Sequence, residues 1–594
     1  MISALWFVGD ALLPLAPSVG IGIIYLAVVV FAFTKLNNSR NEEGVAEAVY
    51  LIVGATSVIA LIEFASAYSW VTAAFWPNAF IGTTAQSLEA DLTYAAYPIA
   101  PILLLIIMTS WLWVPILERR KRTFLTPGHI SVVQPNTGRA GLSPRRQFLL
   151  SLDVLAILCV LVFYFLYAAG QLWVVGVDSQ LRYIIPLNTL NNLGMLEGVR
   201  ASLNRGHGIY LALLFTIERA TGLSAFVIVK YAILPLTFLT SAFTFVAFRS
   251  ARPRNLGLPA ALCAILWIPT TIGIWGGIQA NWMAYAVWML FLEIYLNAAG
   301  KMRLTSFVSL SLLSVLVLAL HPWTWGVFLA ILILAALPEI RDRANLNHAL
   351  ASILSATCLA VPTGIVGLIY ISGMRVDITS ALSLYLFPLI HSDAVFRLFP
   401  GAWAEMWRVW SSFLSPALIL ISLVGAVALK ELQGRTKRYL LSWAFVWCLG
   451  SILVAPISYH PTNPAISETQ LWRMLYLSPL PILLALGVSK CASLGSRFTL
   501  PVQPNFSRLQ PVVLLAAVGA SSLPLSVFTT PLIRLGAVVV GTLAVALLIH
   551  RVRLTDSAKI MIVMVLFLII VNATFRSLFP LLLDPHNLYP SSSI

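Results

Sequence analysis

Apolar residues run almost unbroken along this chain, and polar residues gather in short clusters between them. Runs long enough to span a bilayer (about 17–25 residues) fall near 14–34, 48–70, 95–117, 148–174, 223–248, 257–274, 280–299, 304–320, 323–338, 348–372, 412–429, 439–457, 472–489, 511–528, 532–550 and 558–576. This pattern predicts an all-α, polytopic transmembrane bundle of roughly sixteen helices. Pro269 and Pro362-Thr-Gly364 mark breaks within it.

The basic clusters orient the helices. They are Arg119-Arg-Lys-Arg122 with Arg139, Arg145 and Arg146; Arg249, Arg252 and Arg254; Lys301 and Arg303; Arg341 and Arg343; Lys430, Arg435, Lys437 and Arg438; and Arg551 with Arg553. Each occupies an alternate loop, so the positive-inside rule places them all in the cytoplasm. Loops 175–222, 275–279, 321–322, 373–411, 458–471 and the C-terminal tail are then expected outside. Loop 175–222 has the apolar spacing of helices lying along a membrane surface. Loop 373–411 carries Tyr385, Phe387, Phe396, Phe399, Trp403, Trp407 and Trp410, which suits an interfacial belt or a lid. A multi-pass protein of the cell membrane is expected, with its active face extracytoplasmic.

The same punctuation divides the chain. Residues 1–120 form a three-helix addition and 121–146 a basic cytoplasmic linker. Residues 147–490 form a core that carries every outward polar cluster. Residues 491–510 are a second cytoplasmic linker, and 511–594 add three helices and a short tail.

Composition agrees with lipid as the solvent. Of 594 residues 59% are hydrophobic and only 10% charged, where a soluble domain carries about 25% charged residues. The net charge of +15 comes from 37 Lys+Arg against 22 Asp+Glu. In such a chain it reflects basic cytoplasmic loops and anionic lipid head groups, not nucleic acid. Cys159, Cys263, Cys358, Cys448 and Cys491 form no CxxC pair, so neither a disulfide framework nor a zinc site is expected.

Asp178 stands first among residues that could carry chemistry. It lies in Leu172-Trp-Val-Val-Gly-Val-Asp178-Ser-Gln-Leu-Arg182-Tyr, just past the end of an apolar run on the outer side. A carboxylate there can take a proton from an acceptor hydroxyl at the membrane surface; a solvated loop aspartate, or a helix cap, is the plainer reading. Lys230, inside Val227-Ile-Val-Lys-Tyr-Ala-Ile-Leu-Pro235, is an intramembrane cation placed to reach a lipid phosphate or to snorkel. Arg473, after Glu468 in Glu468-Thr-Gln-Leu-Trp-Arg473, sits at an outer helix start where basic residues are disfavoured. Its guanidinium suits a phosphate, or a contact with Glu468 or a head group. His321, in Ala319-Leu-His-Pro-Trp-Thr-Trp325, occupies a tight outer turn beside two tryptophans. Arg182, His207, Tyr210, His391, Asp393 and His460 also face outside. There is no HExxH, DxD, Walker loop or GxGxxG after a strand, so metalloprotease, ATPase and dinucleotide chemistry have no footing. Asp178 has no second carboxylate beside it, so no metal ligands and no cofactor are expected.

The order Val175-Gly-Val-Asp178, a long outer loop, His207-Gly-Ile-Tyr-Leu-Ala-Leu-Leu, Lys230-Tyr-Ala-Ile-Leu-Pro235, Leu320-His-Pro-Trp-Thr-Trp and Arg473-Met-Leu-Tyr-Leu-Ser-Pro-Leu-Pro resembles the GT-C superfamily of integral-membrane glycosyltransferases. The likeness covers about residues 147–490 and has the flavour of archaeal members, with protein mannosyltransferases among the relatives. The resemblance implies a polyprenyl-phosphate-linked sugar as donor and a lipid, glycan or protein acceptor. It implies Asp178 as catalytic base or metal-linked acid, and Arg473 with, more loosely, Lys230 as phosphate ligands. His321, Arg182, His207, Tyr210 and Glu468 are expected to line the substrate site. Ser179-Gln180 stands where relatives often carry a second acid, and no large soluble domain follows the last apolar run. Two further readings stay open. A secondary transporter needs broken helices and paired repeats at midplane, and no repeat is found. A non-catalytic membrane subunit would use the helices at each end to dock protein partners.

Overall fold

The computed structural model describes residues 103–122, 178–205, 207–249, 256–297, 302–340, 346–373, 416–458 and 473–495, with Gly176, Trp410 and a few other single positions. The runs near 14–34, 48–70, 511–528, 532–550 and 558–576 lie outside the described residues, as do nearly all of loop 373–411 and of the two linkers. Every regular element among the described residues is helical. Four helical stretches are long and apolar enough to cross a membrane: Ala225–Phe248, Gly257–Ile274, Pro322–Ile340 and Leu346–Gly367.

The chain forms two compact units. One takes Met1–Leu166, Ser415–Lys430 and Leu483–Arg576. In it, helix Pro416–Ala428 packs on helix Ser110–Arg122. Gly425 and Gly487 let two helices meet: a Cβ on Gly425 would lie 1.8 Å from the Leu483 carbonyl oxygen, and one on Gly487 would lie 2.1 Å from that of Ile421. The other unit takes Tyr167–Leu414, Glu431–Ile482 and Ser577–Ile594, and it holds the chemistry-bearing residues.

In that second unit a π-helical stretch, Ser179–Ile184, runs into α1 (Ile185–Leu190). Two more short helices follow, α2 (Met195–Leu203) and α3 (Gly208–Thr221). Then come α4 (Ala225–Tyr231), α5 (Ile233–Phe248), α6 (Gly257–Leu266), α7 (Ile268–Gly276), α8 (Gln279–Asn297), α9 (Leu304–Leu320), α10 (Pro322–Ile340), α11 (Leu346–Thr357), α12 (Ala360–Gly373) and α13 (Gly434–Ser458).

Three predicted runs are interrupted, each beside a proline or at a helix cap. Run 257–274 breaks at Trp267, two residues before Pro269. Run 348–372 breaks at Cys358–Leu359, not at Pro362 itself. Pro362 has no N–H for the carbonyl four residues back, and its ring crowds that carbonyl. Run 223–248 divides at Ala232. Between α9 and α10, Pro322 disfavours helical backbone at the residue before it. His321 accordingly adopts φ −159°, ψ 99°, and Pro322 opens the next helix.

Helix α8 is the hub, with Trp282, Tyr285, Trp288, Phe291 and Tyr295 all fully buried. Lipid tails are as apolar as leucine, so close packing and hydrogen bonds must hold such helices together. Trp288 stacks on Phe328 at 4.7 Å between ring centres. Its Nε1–H donates to the Tyr439 hydroxyl at 2.6 Å, and Trp282 Nε1–H donates to Thr240 Oγ1 at 2.9 Å. Such bonds contribute about 0.6 kcal/mol on average between membrane helices.

The bundle separates two polar ends. Asp178, Tyr210, Gln279, His321 and Arg473 gather at one. Tyr295, Glu339, His348, Arg435 and Arg438 gather at the other. The first set comes from loops expected outside, the second from loops expected in the cytoplasm.

Candidate functional site

Asp178 does not face an open loop. It heads the π-helical stretch Ser179–Ile184, and its side chain caps no backbone N–H, which removes the helix-cap reading. Two glycines seat it. Gly176 has φ +97°, and a Cβ there would lie 2.3 Å from the Gly277 nitrogen. Gly277 has φ +65°, and a Cβ there would lie 2.5 Å from Ser179 Oγ. Only glycine tolerates both the positive φ and the close approach. The Asp178 segment therefore lies directly on the α7–α8 corner.

Two buried tyrosines hold that seat. The Tyr183 hydroxyl accepts from the Ala280 N–H at 3.1 Å. The Tyr210 hydroxyl donates to Gln279 Oε1 at 3.1 Å, and Gln279 Nε2 donates to the Val229 carbonyl at 2.9 Å. The two rings meet edge to face, 5.2 Å apart. Tyr210 is fully buried and its hydroxyl is committed to Gln279, so it supports the site from beneath. On α3, Arg219 donates to the Asn191 carbonyl, and to that of Leu193 at 2.9 Å, tying the α1–α2 corner to this support.

His207 is the one described non-glycine residue in the left-handed region, with φ 60°. It turns the chain sharply into α3, where a Cβ on Gly208 would lie 2.5 Å from the Leu203 carbonyl oxygen. The turn stacks its ring on His321, 5.7 Å away and 18° from parallel, with Tyr183 at 6.3 Å. His321 Nδ1 accepts the Thr324 backbone N–H at 3.2 Å and lies 2.9 Å from Thr324 Oγ1.

Arg473 opens a helical turn, Arg473–Tyr476, fixed from both sides. Trp443 Nε1–H donates to the Leu477 carbonyl at 2.7 Å, and Met474 lies where a Cβ on Gly450 would be only 2.6 Å from its Cε. The predicted helix over 472–489 is interrupted here and resumes at Leu480.

The electrostatics tie these groups together. Burial raises the Asp178 carboxyl above the usual carboxylate range, against the opposing pull of Arg473 and then Arg182. Arg182 Nε lies 4.0 Å from Asp178 Oδ1, but its side chain is 58% exposed, so solvent screens it. Burial, with Arg182 and Arg473 nearby, lowers His207 to about 4, though the Leu320 carbonyl favours its protonated ring. Burial, with Arg473 and His207, lowers His321 to about 3. Both imidazoles are therefore neutral near pH 7. The site combines one carboxylate with raised proton affinity, two guanidinium charges and two neutral imidazoles.

Of the expected site residues, the structure brings together Asp178, Arg182, His207, His321 and Arg473, with Tyr210 beneath. Lys230 lies on α4, and the charges acting on Asp178 are those of Arg473 and Arg182. Its ammonium lies 5.6 and 5.8 Å from the ring centres of Tyr231 and Phe226. Glu468, and with it the contact expected to Arg473, lies outside the described residues, as do His391, Asp393 and His460. Tyr183, Gln279, Thr324 and Gly277 escaped the sequence reading. Gly276-Gly277 at a predicted outer corner was the available signal for one of them. Among the described residues no group of three His, Cys, Asp or Glu side chains could hold a metal ion.

At the opposite end, Glu339 accepts from Arg435 Nε at 3.1 Å and from Arg438, and His348 Nδ1 lies 3.3 Å from its other oxygen. The sequence reading placed Arg435 and Arg438 in a cytoplasmic loop; the structure turns both inward onto this buried acid. No family model matches the chain, and no curated protein or solved structure matches it.

Proposed function

We propose that this chain is a membrane glycosyltransferase of GT-C type, moving a sugar from a polyprenyl-phosphate donor to an acceptor on the extracytoplasmic face. The observation that carries the reading is the carboxylate of Asp178, seated on the α7–α8 corner by Gly176 and Gly277 and acted on by the charges of Arg473 and Arg182. The acceptor hydroxyl gives its proton to the Asp178 carboxylate as its oxygen bonds to the sugar's anomeric carbon. The bond from that carbon to the phosphate oxygen breaks, and its electron pair leaves with the phosphate. Arg473 lies where it can balance the charge that collects there, with Arg182 as a weaker contributor.

Helices α1 to α3 fit this role as elements at the outer surface. Leu196 (83% exposed) and Met195, Leu203 and Leu213 present apolar side chains away from the protein. The test is transfer of labelled sugar from a panel of polyprenyl-phosphate hexoses and pentoses by purified protein. Wild type transfers from at least one donor, and Asp178→Asn does not while melting at the same temperature. A wild type silent on the whole panel, or an undiminished Asp178→Asn, overturns the reading.

A further inference from the structure

The two imidazoles of the site differ in what they can offer a ligand. The Thr324 backbone N–H points at His321 Nδ1. An N–H can only donate, so Nδ1 must present a lone pair, and the Thr324 hydroxyl beside it donates as well. The ring proton is then on Nε2. That atom bonds none of the described residues, and it is not among their sealed, unpaired polar atoms, so it opens onto space a ligand can enter. The His207 ring stacks on this imidazole, and the charge of Arg473 acts on it. The turn also has little freedom. Pro322 fixes the His321 backbone, Trp325 N–H donates to the His321 carbonyl at 3.1 Å, and Trp325 Nε1 donates to Ser314 Oγ at 2.8 Å.

We propose that His321 acts as a neutral donor, through Nε2–H, to a phosphate oxygen of the ligand, and that Thr324 is the positioning residue that fixes this tautomer. The inference rests on the glycosyl-transfer reading for the ligand's identity, but not for the donor chemistry. It separates two ways a histidine can hold an anion. An imidazolium would lose its grip as pH rises through the ordinary histidine range, whereas a neutral donor holds equally on both sides of it.

The test is binding of a polyprenyl methyl phosphodiester to the purified full chain in nanodiscs. The single charge of this probe stays constant between pH 5.5 and 8. Wild-type affinity is expected to change less than twofold over that range. His321→Asn, whose amide cannot reach the Nε2 position, should bind at least tenfold more weakly. His321→Gln, whose amide N–H can reach it, should recover to within about threefold. Thr324→Val removes one donor that favours the neutral ring, so its affinity should become higher at pH 5.5 than at pH 8. Affinity of wild type that falls tenfold from pH 5.5 to 8, or an Asn variant that binds like wild type, overturns the proposal and leaves glycosyl transfer standing. Failure of wild type to bind the diester at all, or equal binding of the matching polyprenyl alcohol, removes the glycosyl-transfer reading and the proposal with it. If inorganic phosphate binds as tightly as the diester, with the same dependence on His321, the donor chemistry holds and the lipid-linked ligand does not.

Discussion

Asp178 and Glu339 are carboxylates at opposite ends of one helical unit, and the fold treats them in opposite ways. Glu339 is 1% exposed and meets Arg435, Arg438 and His348 directly. Its donors arrive from α11 and α13, so the acid joins the ends of three helices. Asp178 is 21% exposed, and its nearest cationic nitrogen in an ion pair lies 4.0 Å off. A buried acid with its bonds made is a structural joint. A half-buried acid, raised in proton affinity and paired only with an exposed guanidinium 4.0 Å away, keeps its chemistry available.

Breaking the joint gives the largest expected effect on stability. Glu339→Gln removes the charge that both guanidiniums meet at that end, and removing one partner of a buried ion pair costs about 3–5 kcal/mol. A detergent melting curve should show a large drop, with low folded yield. Melting like wild type would mean that the cluster holds nothing together.

Disturbing the seat of Asp178 comes next. Gly277→Ala forces a methyl toward Ser179 Oγ and strains a positive φ. Misplacing a reactive group by about 1 Å can cost up to about 100-fold in rate, so transfer should fall at least tenfold. A Gly277→Ala enzyme of normal rate would detach that contact from function.

The imidazoles set a smaller, pH-dependent effect. His207 and His321 fold with values near 4 and 3, below the ordinary 6.5. As pH falls from 6.5 toward 4, the unfolded chain binds protons that the folded chain refuses. Thermal stability should therefore decline through that window, and the slope should flatten in His321→Gln. A melting temperature that rises on acidification would reverse the sign.

The smallest effect is expected at Lys230, since the charges acting on Asp178 are those of Arg473 and Arg182. Lys230→Ala should lower transfer less than threefold, as a surface or snorkelling lysine would. A tenfold loss would bring it back into the site.

One side of this contrast was legible in the sequence, and the physics says why. Run 304–320 was read with its observed ends because uniform apolarity and a closing His-Pro leave one solution. Asp178, Arg473, His207 and His321 stood out because charge and imidazole are costly or rare beside lipid. The tyrosine and glutamine supports were not legible. Tyr183 is 97 residues from Ala280 along the chain and Gln279 is 50 from Val229, only folding joins them, and nothing in their neighbourhoods announces those partners. Glu339 was hidden for another reason. Arg435 and Arg438 read as loop charges, and only tertiary packing turns them inward. Breaks at Trp267 and Cys358 followed proline chemistry, but their positions, two and four residues before the ring, depend on local packing.

The most direct measurement is turnover per folded molecule for Asp178→Asn and Glu339→Gln, side by side, on whichever polyprenyl-phosphate sugar the wild type uses. The account predicts that Asp178→Asn folds and loses about 10²–10⁴-fold in rate, the range of general-base catalysis. The folded fraction of Glu339→Gln should turn over like wild type. Retained turnover in Asp178→Asn, with loss in folded Glu339→Gln, would contradict it.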